Sequence, residues 1–502
     1  MRLHLMLKRV RIIGGSRRWA STSAYEGLKC GLEIHLQLNT KTKLFSDSRT
    51  SFQGTPNQHV STYDLAYPGT QPILNKHAVL LALRAALALD CEINLNSRFD
   101  RKHYFYPDQP AGYQITQFYD PIARKGVLWL KDTDGIRPEL GVGITQLQIE
   151  QDTGKSVYQI DSKNTFLDFN RTNHPLIEIV TEPDIRTPQQ AAAFVSKLQV
   201  LMKHLGVSTG EFQSGAIRVD VNVSYAGGSR CEIKNLASIS DVAHAIEAEL
   251  QRQKDEVSQG RTIRSVTLGW DGQKITVQRN KEATSEYRYI PDPELSRITL
   301  TPDIIEKIRS TMNKFPDEVL QELTNAPHKL NAANARTLLK FGLTDYYLEC
   351  YNGLEAAGLN GKLAANWIVN DILGLLVAGE ESSLPSIITP SRLIDLIKIE
   401  RQNTITKILA MNLVKYFLEN PEDSTSAQDL VAKYRLNTVD DNDKLSRICS
   451  EVIAEHRAIA DTIASGEKPT AIAFLVGMTM KKAKGRFKAQ AAQAELQRLL
   501  SR

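Results

Sequence analysis

The sequence predicts an α+β protein, with a mixed or antiparallel sheet in an N-terminal domain, an all-helical domain after it and a helical tail. Apolar and polar residues alternate in several segments between Leu28 and Leu295, which is typical of strands with one buried face. After Thr301 the apolar residues recur at helical spacing. The chain has 502 residues, and single hydrophobic cores stop growing at roughly 250–300 residues, so we expect two or three domains.

The first 25 residues are basic and contain no acidic residue before Glu26. This composition is typical of a mitochondrial transit peptide. A secretory signal fits less well because Lys8, Arg9 and Arg11 interrupt its apolar core, and a disordered basic leader is the plain alternative. The six Lys and Arg residues of this segment account for more than the formal net charge of +5. The charge of the whole chain is therefore no argument for nucleic-acid binding.

The five cysteines are scattered and include no C-x-x-C pair. Neither a disulfide framework nor a cysteine zinc site is indicated, and buried reduced thiols fit a reducing compartment such as the mitochondrial matrix. No apolar run approaches the ~18 residues of a membrane span, so we expect none.

Polar residues occupy every second position of the first predicted strand. Glu33, His35 and Gln37 share one face there, because side chains two apart in a strand point the same way. Three later segments show the same alternation and carry the polar rows Gln146, Gln148, Glu150, Asp152; Arg218, Asp220, Asn222, Ser224; and Glu232, Lys234.

These rows have two readings. Antiparallel sheets commonly expose one polar face to solvent, so alternation alone proves no function. However, the rows carry acids and amides, whose oxygens bind hard cations, and a histidine, whose imidazole is also a metal ligand. Lys155, Arg218 and Lys234 add the cations that phosphate recognition needs. Carboxylates that hold Mg²⁺ beside Arg and Lys are the arrangement that phosphoryl transfer uses.

Other segments give weaker indications of function. The chain has no P-loop motif, so any ATP would bind in another way. Residues 100–108 interleave cations with aromatic residues, as a surface that stacks on bases does, and an ordinary buried aromatic strand is an equal alternative. Basic residues dominate after Met478. They would make any binding of phosphates there sensitive to salt, unless this is a plain solvated helix.

Helix signals place the domain boundaries. Thr187 and Pro188 begin a helix inside the sheet region, and Thr301 and Pro302 begin the helical part, in both cases with threonine as N-cap and proline at the first position. Prolines between residues 380 and 413 interrupt the helices a second time. We predict a transit peptide over 1–25, a sheet domain over 26–297, a helical domain over 298–405 and a tail over 406–502.

Several strings resemble the B subunits of the glutamyl-tRNA(Gln) and aspartyl-tRNA(Asn) amidotransferases. They occur in the order of that family over nearly the whole chain after the leader. The matching strings are residues 31–35, 100–107, 149–155, 170–171, 175–184, 218–224, 232–236, 279 with 281–282, 287–295, 474–477 and 480–482.

The resemblance implies a cradle domain with the active site, a helical domain and a YqeY-like tail that binds tRNA. In this family, the B subunit uses ATP and Mg²⁺ to phosphorylate the γ-carboxylate of glutamate misattached to tRNA(Gln). Ammonia from the amidase-like A subunit then displaces the phosphate. The expected partners are that amidase, a small third subunit of the C type or a lineage-specific replacement, and Glu-tRNA(Gln). The expected place is the mitochondrial matrix, with inner-membrane association left open.

The resemblance also assigns roles to residues. The metal ligands would be Glu33, His35, Glu150 and Glu232, with Asp220 a direct or water-mediated member. The cations that contact ATP phosphates or the acyl phosphate would be Lys155, Arg218 and Lys234. Contacts with the nucleotide or the tRNA end would come from Arg101, Lys102 and Asn222.

The sequence departs from the family at three places. Ser61, Thr62 and Asp64 stand where many bacterial relatives have cysteines, so we expect no zinc. The family's paired acids read Glu150 and Gln151 here, and its preceding histidine is Gln148, which bears on the ligand set of this row. The tail reads Gly-Arg-Phe-Lys at residues 485–488 instead of Gly-Lys-Ala-Asn.

The leading hypothesis is therefore a subunit of an ATP-dependent ligase that carries the phosphorylation site. A non-catalytic tRNA-binding scaffold subunit is the first alternative, and the acids on the rows argue against it. A free-standing RNA- or nucleotide-binding protein is the second, and it would act without partners.

Overall fold

A computed structural model describes residues 22–51, 54–158, 164–280, 287–377, 381–438, 441–465 and 468–501. The predicted transit peptide lies almost wholly outside these residues, as do Lys281 and Glu282 of one family string. The chain divides after Phe315 into two compact units. No helix among the described residues is long and apolar enough to cross a membrane.

The first unit contains the strands. They are β1 Leu28–Gln37, β2 Glu92–Ile93, β3 Asn96–Ser97, β4 Asp100–His103, β5 Tyr113–Thr116, β6 Ala123–Leu130, β7 Leu140–Gln151, β8 Lys155–Tyr158, β9 Thr165–Asp168, β10 Pro175–Thr181, β11 Ile217–Tyr225, β12 Cys231–Leu236, β13 Val266–Trp270, β14 Ile275–Asn280, β15 Ile290–Pro291 and β16 Ile298–Thr299. Four helices accompany them: α1 Lys76–Ala88, α2 Pro188–His204, α3 Ile239–Ser258 and α4 Pro302–Ser310.

Nine of these strands form one mixed sheet in the order β14-β13-β12-β11-β1-β10-β7-β6-β2. Its pairs are antiparallel except for β12 and β13. The apolar residues of the central strands, such as Leu32, Ile34 and Val221, are buried in one core with apolar residues of the helices. The other side of β1 and β11 carries the polar rows. A smaller sheet of β15, β4 and β5 packs β5 against β7.

Local signals explain the helix starts. Thr187 accepts the backbone N–H of Gln190, and the Gln190 side chain accepts the N–H of Thr187, which forms a capping box before Pro188. Thr301 caps α4 in the same way through the N–H of Ile304. Both predicted helix starts are confirmed.

The described residues of the second unit form helices joined by turns and loops, with no strand among them. Its helices are α5 Pro316–Thr324, α6 Ala332–Lys340, α7 Thr344–Ala356, α8 Leu363–Asn366, α9 Leu384–Ile387, α10 Pro390–Arg401, α11 Lys407–Glu419, α12 Ala427–Tyr434, α13 Asn442–Glu455, α14 Arg457–Ala464, α15 Ile472–Lys482 and α16 Ala489–Leu500. They bury two separate apolar clusters, one between Leu320 and Val431 and one between Leu445 and Leu496.

The predicted α+β class is confirmed. The exact domain boundaries stay predictions, although α4 contributes Ile308 to the core of the first unit and α11 packs into the first helical cluster through Leu409 and Leu413.

Candidate functional site

The register of the central strands brings the predicted rows together on one face. Glu33 lies opposite Asp220 on β11, and His35 lies opposite Arg218 on β11 and Glu178 on β10. Since directly paired residues of neighbouring strands have adjacent side chains, β1, β11 and β10 form one continuous polar patch. We call this patch the polar face.

Three side chains on the polar face are close enough to share a cation. One ligand atom each from Glu33, His35 and Glu178 lies within 4.8 Å of the other two, and His35 Nε2 is 4.0 Å from a Glu178 oxygen. Glu178 was not among the sequence candidates. It is a single acid between apolar residues of β10, so no alternation marks it, and a charged residue inside an otherwise apolar strand was the available signal.

Burial leaves this group electrostatically strained. Burial, the Glu178 carboxylate and Asp220 raise the pKa of Glu33 to about 7, against the opposing effects of His35 and Lys234. Burial and the nearby Glu150 raise the pKa of Glu178 to about 7. A bound divalent cation would relieve this repulsion, because carboxylate oxygens and an imidazole nitrogen are its ligands. The residues present therefore fit a metal.

Glu150 lies beside this group and is held by other partners. It is buried on β7, where the Gln114 amide donates to it and Thr116 Oγ1 lies 3.4 Å away. Next along β7, Gln148 donates to Glu178, although the family has a histidine there. The structure thus places Glu150 at the edge of the group of Glu33, His35 and Glu178 and not within it.

The opposite edge of the polar face carries Lys234 between two acids. Its Nζ is 2.8 Å from Asp220 and 3.2 Å from Glu232. Burial alone would lower the pKa of Lys234, but these carboxylates raise it above its ordinary value. Glu232 pairs with Asn222 across the strands, one strand beyond Asp220, so it lies away from His35 and Glu178.

Asp152, in the polar row of residues 146–152, anchors Arg218. Its Nη2 donates to Asp152 Oδ1 at 3.0 Å, and Arg171 Nε lies 3.6 Å from the same carboxylate. Burial would raise the pKa of Asp152, but the two guanidinium groups hold it below its ordinary value. The buried Arg218 Nε has no hydrogen-bond partner among the described residues, so Arg218 keeps a donor for a further acceptor.

The remaining candidates differ in whether they lie near the polar face. Lys102 is near the polar face. There the carboxylates of Glu150 and Glu178 raise its pKa against the effect of burial. Arg101 points the other way and binds Asp292 and Glu294 at 2.7 and 3.1 Å. Lys155 is exposed on the separate hairpin of β8 and β9. The structure therefore brings Lys102, but not Arg101, to the polar face, and no contact among the described residues joins Lys155 to that face.

Comparisons with known proteins identify the family. Residues 28–306 match a family model described as the GatB/GatE catalytic domain, and residues 349–500 match one described as the GatB domain. The chain is 42% identical to the mitochondrial B subunit of glutamyl-tRNA(Gln) amidotransferase of Scheffersomyces stipitis, over 98% of this chain and 100% of that protein. It is also 42% identical to the protein of that name in Yarrowia lipolytica, over 98% and 97% of the two chains.

The corresponding Saccharomyces cerevisiae protein is 40% identical, over 94% of both chains. These matches confirm the resemblance that the strings indicated, and they cover both units. The chain belongs to the family of glutamyl-tRNA(Gln) amidotransferase B subunits.

Proposed function

We propose that this chain is the component of a mitochondrial, glutamine-dependent amidotransferase that activates glutamate on Glu-tRNA(Gln) for conversion to Gln-tRNA(Gln). The full-length similarity to proteins of that name supports the reaction class and the compartment. The single observation that supports a catalytic role for this chain is the partly buried group of Glu33, His35 and Glu178 beside the cations of the polar face.

Glu33, His35 and Glu178 would hold Mg²⁺, with Glu150 and Asp220 at its border. When bound, Mg²⁺ would supply positive charge against the phosphate oxygens of ATP. This set keeps Glu33 and His35 of the sequence-based ligand set and adds Glu178. Glu232 instead orients Lys234, with which it forms an ion pair.

The cations of the polar face would position the phosphates. Arg218, with its free buried Nε, and Lys234 lie on one side of the metal group, and Lys102 lies on the other. The γ-carboxylate oxygen of the tRNA-bound glutamate would attack the γ-phosphorus of ATP, and the bond to ADP breaks. Ammonia then attacks the resulting acyl phosphate and phosphate leaves, which gives the amide. Positioning and charge neutralisation are what this chemistry requires of a protein.

The remaining roles follow from the family, apart from that of Arg101, which follows from its ion pairs with Asp292 and Glu294. Asn222 and Lys155 would contact the nucleotide or phosphates from the margins of the site, and Arg101 would help to shape the β4 segment that presents Lys102. An amidase-like partner would supply ammonia, a small third subunit would complete the complex, and the basic tail would bind tRNA. The leader would direct the chain to the mitochondrial matrix.

The test uses the purified complex with Glu-tRNA(Gln) and γ-³²P-labelled ATP. Glu33→Gln and Glu178→Gln each remove a metal-binding charge with little change in volume, and exposed Glu139→Gln is the matched control. We expect the first two variants to lose more than about 100-fold of phosphate transfer and amidation, as removal of an essential electrostatic group does, and the control to keep both. Full activity in both site variants, with normal tRNA binding, would instead favour the scaffold reading.

A further inference from the structure

A second polar cleft lies on the side of β4 away from the polar face. It has a volume of about 250 Å³ and lies between the loop around Tyr63 and Tyr67, the turn at Gln109 and the segment of Thr172 and Asn173. This is about eight times the roughly 30 Å³ that one water molecule takes up in the liquid. The cleft therefore has room for a small ligand together with water.

Four residues that line this cleft carry buried side-chain oxygens with no hydrogen-bond partner among the described residues. The atoms are Gln109 Oε1, Gln151 Oε1, Thr172 Oγ1 and Asn173 Oδ1. Each of these residues is at most 4% exposed. Buried polar atoms in native proteins nearly always have partners, because leaving one unpaired destabilises the fold. Four residues of one cleft that each carry such an oxygen indicate a ligand that oxygen atoms can coordinate.

The neighbouring contacts fix two of these oxygens in place. The Asn173 amide nitrogen donates to Asp64 at 2.8 Å, and the Gln109 amide nitrogen donates to the carbonyl of Tyr113. Because each nitrogen is used, the oxygen of the same amide is left to face another group. These contacts therefore fix the orientation of both side-chain amides.

The charged groups at the cleft already have partners. Asp64 accepts from Lys43 Nζ at 3.0 Å and from the backbone N–H of Ser61 at 2.8 Å, and Glu294 is paired with Arg101 at 3.1 Å. The oxygens left over are neutral. Sites for Ca²⁺ and Mg²⁺ use carboxylates, whereas rings of neutral carbonyl oxygens bind K⁺.

We propose that this cleft is a binding site for a monovalent cation of the potassium class. Its ligands are the amide oxygens of Gln109, Gln151 and Asn173 and the hydroxyl of Thr172, with water completing the shell. A nucleobase fits less well, since it presents acceptors as well as donors and the unpartnered buried atoms of the cleft are all oxygens.

Occupancy of this site would stabilise the loop that precedes β10. Asn173 donates its backbone N–H to the carbonyl of Asp152 at 2.9 Å, and Asp152 anchors Arg218. The cation site would therefore support one wall of the polar face without being part of it. The proposal does not depend on the reaction proposed above, and its test does not measure activity.

The test is hydrogen exchange of residues 169–174 in the full complex, in potassium chloride and in choline chloride of equal ionic strength. We expect K⁺ at ten times its Kd to slow exchange in this segment about tenfold, because the cation binds only the closed form. Thr172→Val replaces the hydroxyl with a methyl group of similar size and should lose this response, while exposed Thr165→Val on β9 should keep it.

A second variant and a direct probe keep the test decisive if Thr172→Val misfolds. Gln151→Leu removes another ligand and should also lose the K⁺ response, and Tl⁺, a heavy substitute for K⁺, should give an anomalous diffraction peak in the cleft. Equal exchange in K⁺ and choline with the wild-type complex, or a K⁺ response that survives both cleft variants, would overturn the proposal and leave an ordered water site only.

Discussion

Two clusters of charged residues in the first unit differ in how far their charges are compensated. Asp64 is surrounded by donors from Lys43, Ser46, Asn173 and the backbone of Ser61. The group of Glu33, His35 and Glu178 brings two acids together, and both have raised pKa values. Glu178 is buried, as Lys43 and Asp64 are, whereas Glu33 and His35 are only partly buried, and charge compensation also distinguishes the two clusters. A fully paired cluster holds the fold together, and an acid-rich cluster is prepared for a cation.

Breaking the paired cluster should cause the largest loss of stability. Lys43 and Asp64 form an ion pair at 3.0 Å in which both side chains are fully buried. Lys43→Met leaves the Asp64 charge without its partner, and removing one member of a buried pair costs about 3–5 kcal/mol. Denaturant unfolding of the complex, followed by hydrogen exchange in the first unit, should show this loss. The exposed pair of Lys125 and Glu92 offers Lys125→Met as the control, with a change near zero.

Acid should destabilise the neighbourhood of the paired cluster through His174. Burial lowers the pKa of His174 to about 4, from an ordinary value near 6.5 in the unfolded chain. The folded state therefore binds fewer protons, and stability falls as pH drops from about 6.5 to 4, by about 3 kcal/mol at most. Stability measured across this window should decline less in His174→Gln. An identical decline in the two proteins would contradict the assignment.

The acid-rich cluster should show the opposite pH dependence. The pKa of Glu178 is raised to about 7, from about 4.5 in its ordinary state, so the folded state binds more protons. Stability should fall as pH rises from about 4.5 to 7, and the loss is complete above that window. Glu178→Gln should reduce this decline, to which Glu33 still contributes, and stabilise the metal-free complex at pH 8 by about 1–3 kcal/mol. Lower stability of this variant at pH 8 would argue that Glu178 is a structural residue.

The smallest expected effect is on the salt dependence of tRNA binding. The basic residues after Met478, such as exposed Lys481 and Lys484, would neutralise tRNA phosphates in the proposed complex. Replacing both with glutamine should weaken binding at low salt and reduce the slope of log K against log salt by about 1–2. Filter binding at several salt concentrations measures this slope. An unchanged slope would place the tRNA contacts elsewhere.

The sequence predicted the polar face but not its full membership. Alternation correctly placed Glu33 and His35 on one face, because a period of two is a local property of a strand. Glu178 was missed because its neighbours on β10 are apolar and it meets His35 only through strand pairing, which is a long-range contact. The resemblance gives Arg101 and Lys102 the same role, but the structure pairs Arg101 with Asp292 and Glu294, while Lys102 lies near the polar face. The role of Lys155 stays a prediction, since its family string indicates a place at the site and the structure shows only that it begins the hairpin of β8 and β9.

The most direct test of the central claim, that the polar face holds a metal, is binding of Mn²⁺ to the purified complex, measured by electron paramagnetic resonance at pH 8 with and without ATP. The wild-type complex should bind one ion that Glu33→Gln and Glu178→Gln weaken at least about tenfold, the lower end of the effects seen when metal sites lose supporting groups. Glu139→Gln should bind as the wild type does. Equal Mn²⁺ affinity in all four proteins would contradict a metal site on the polar face.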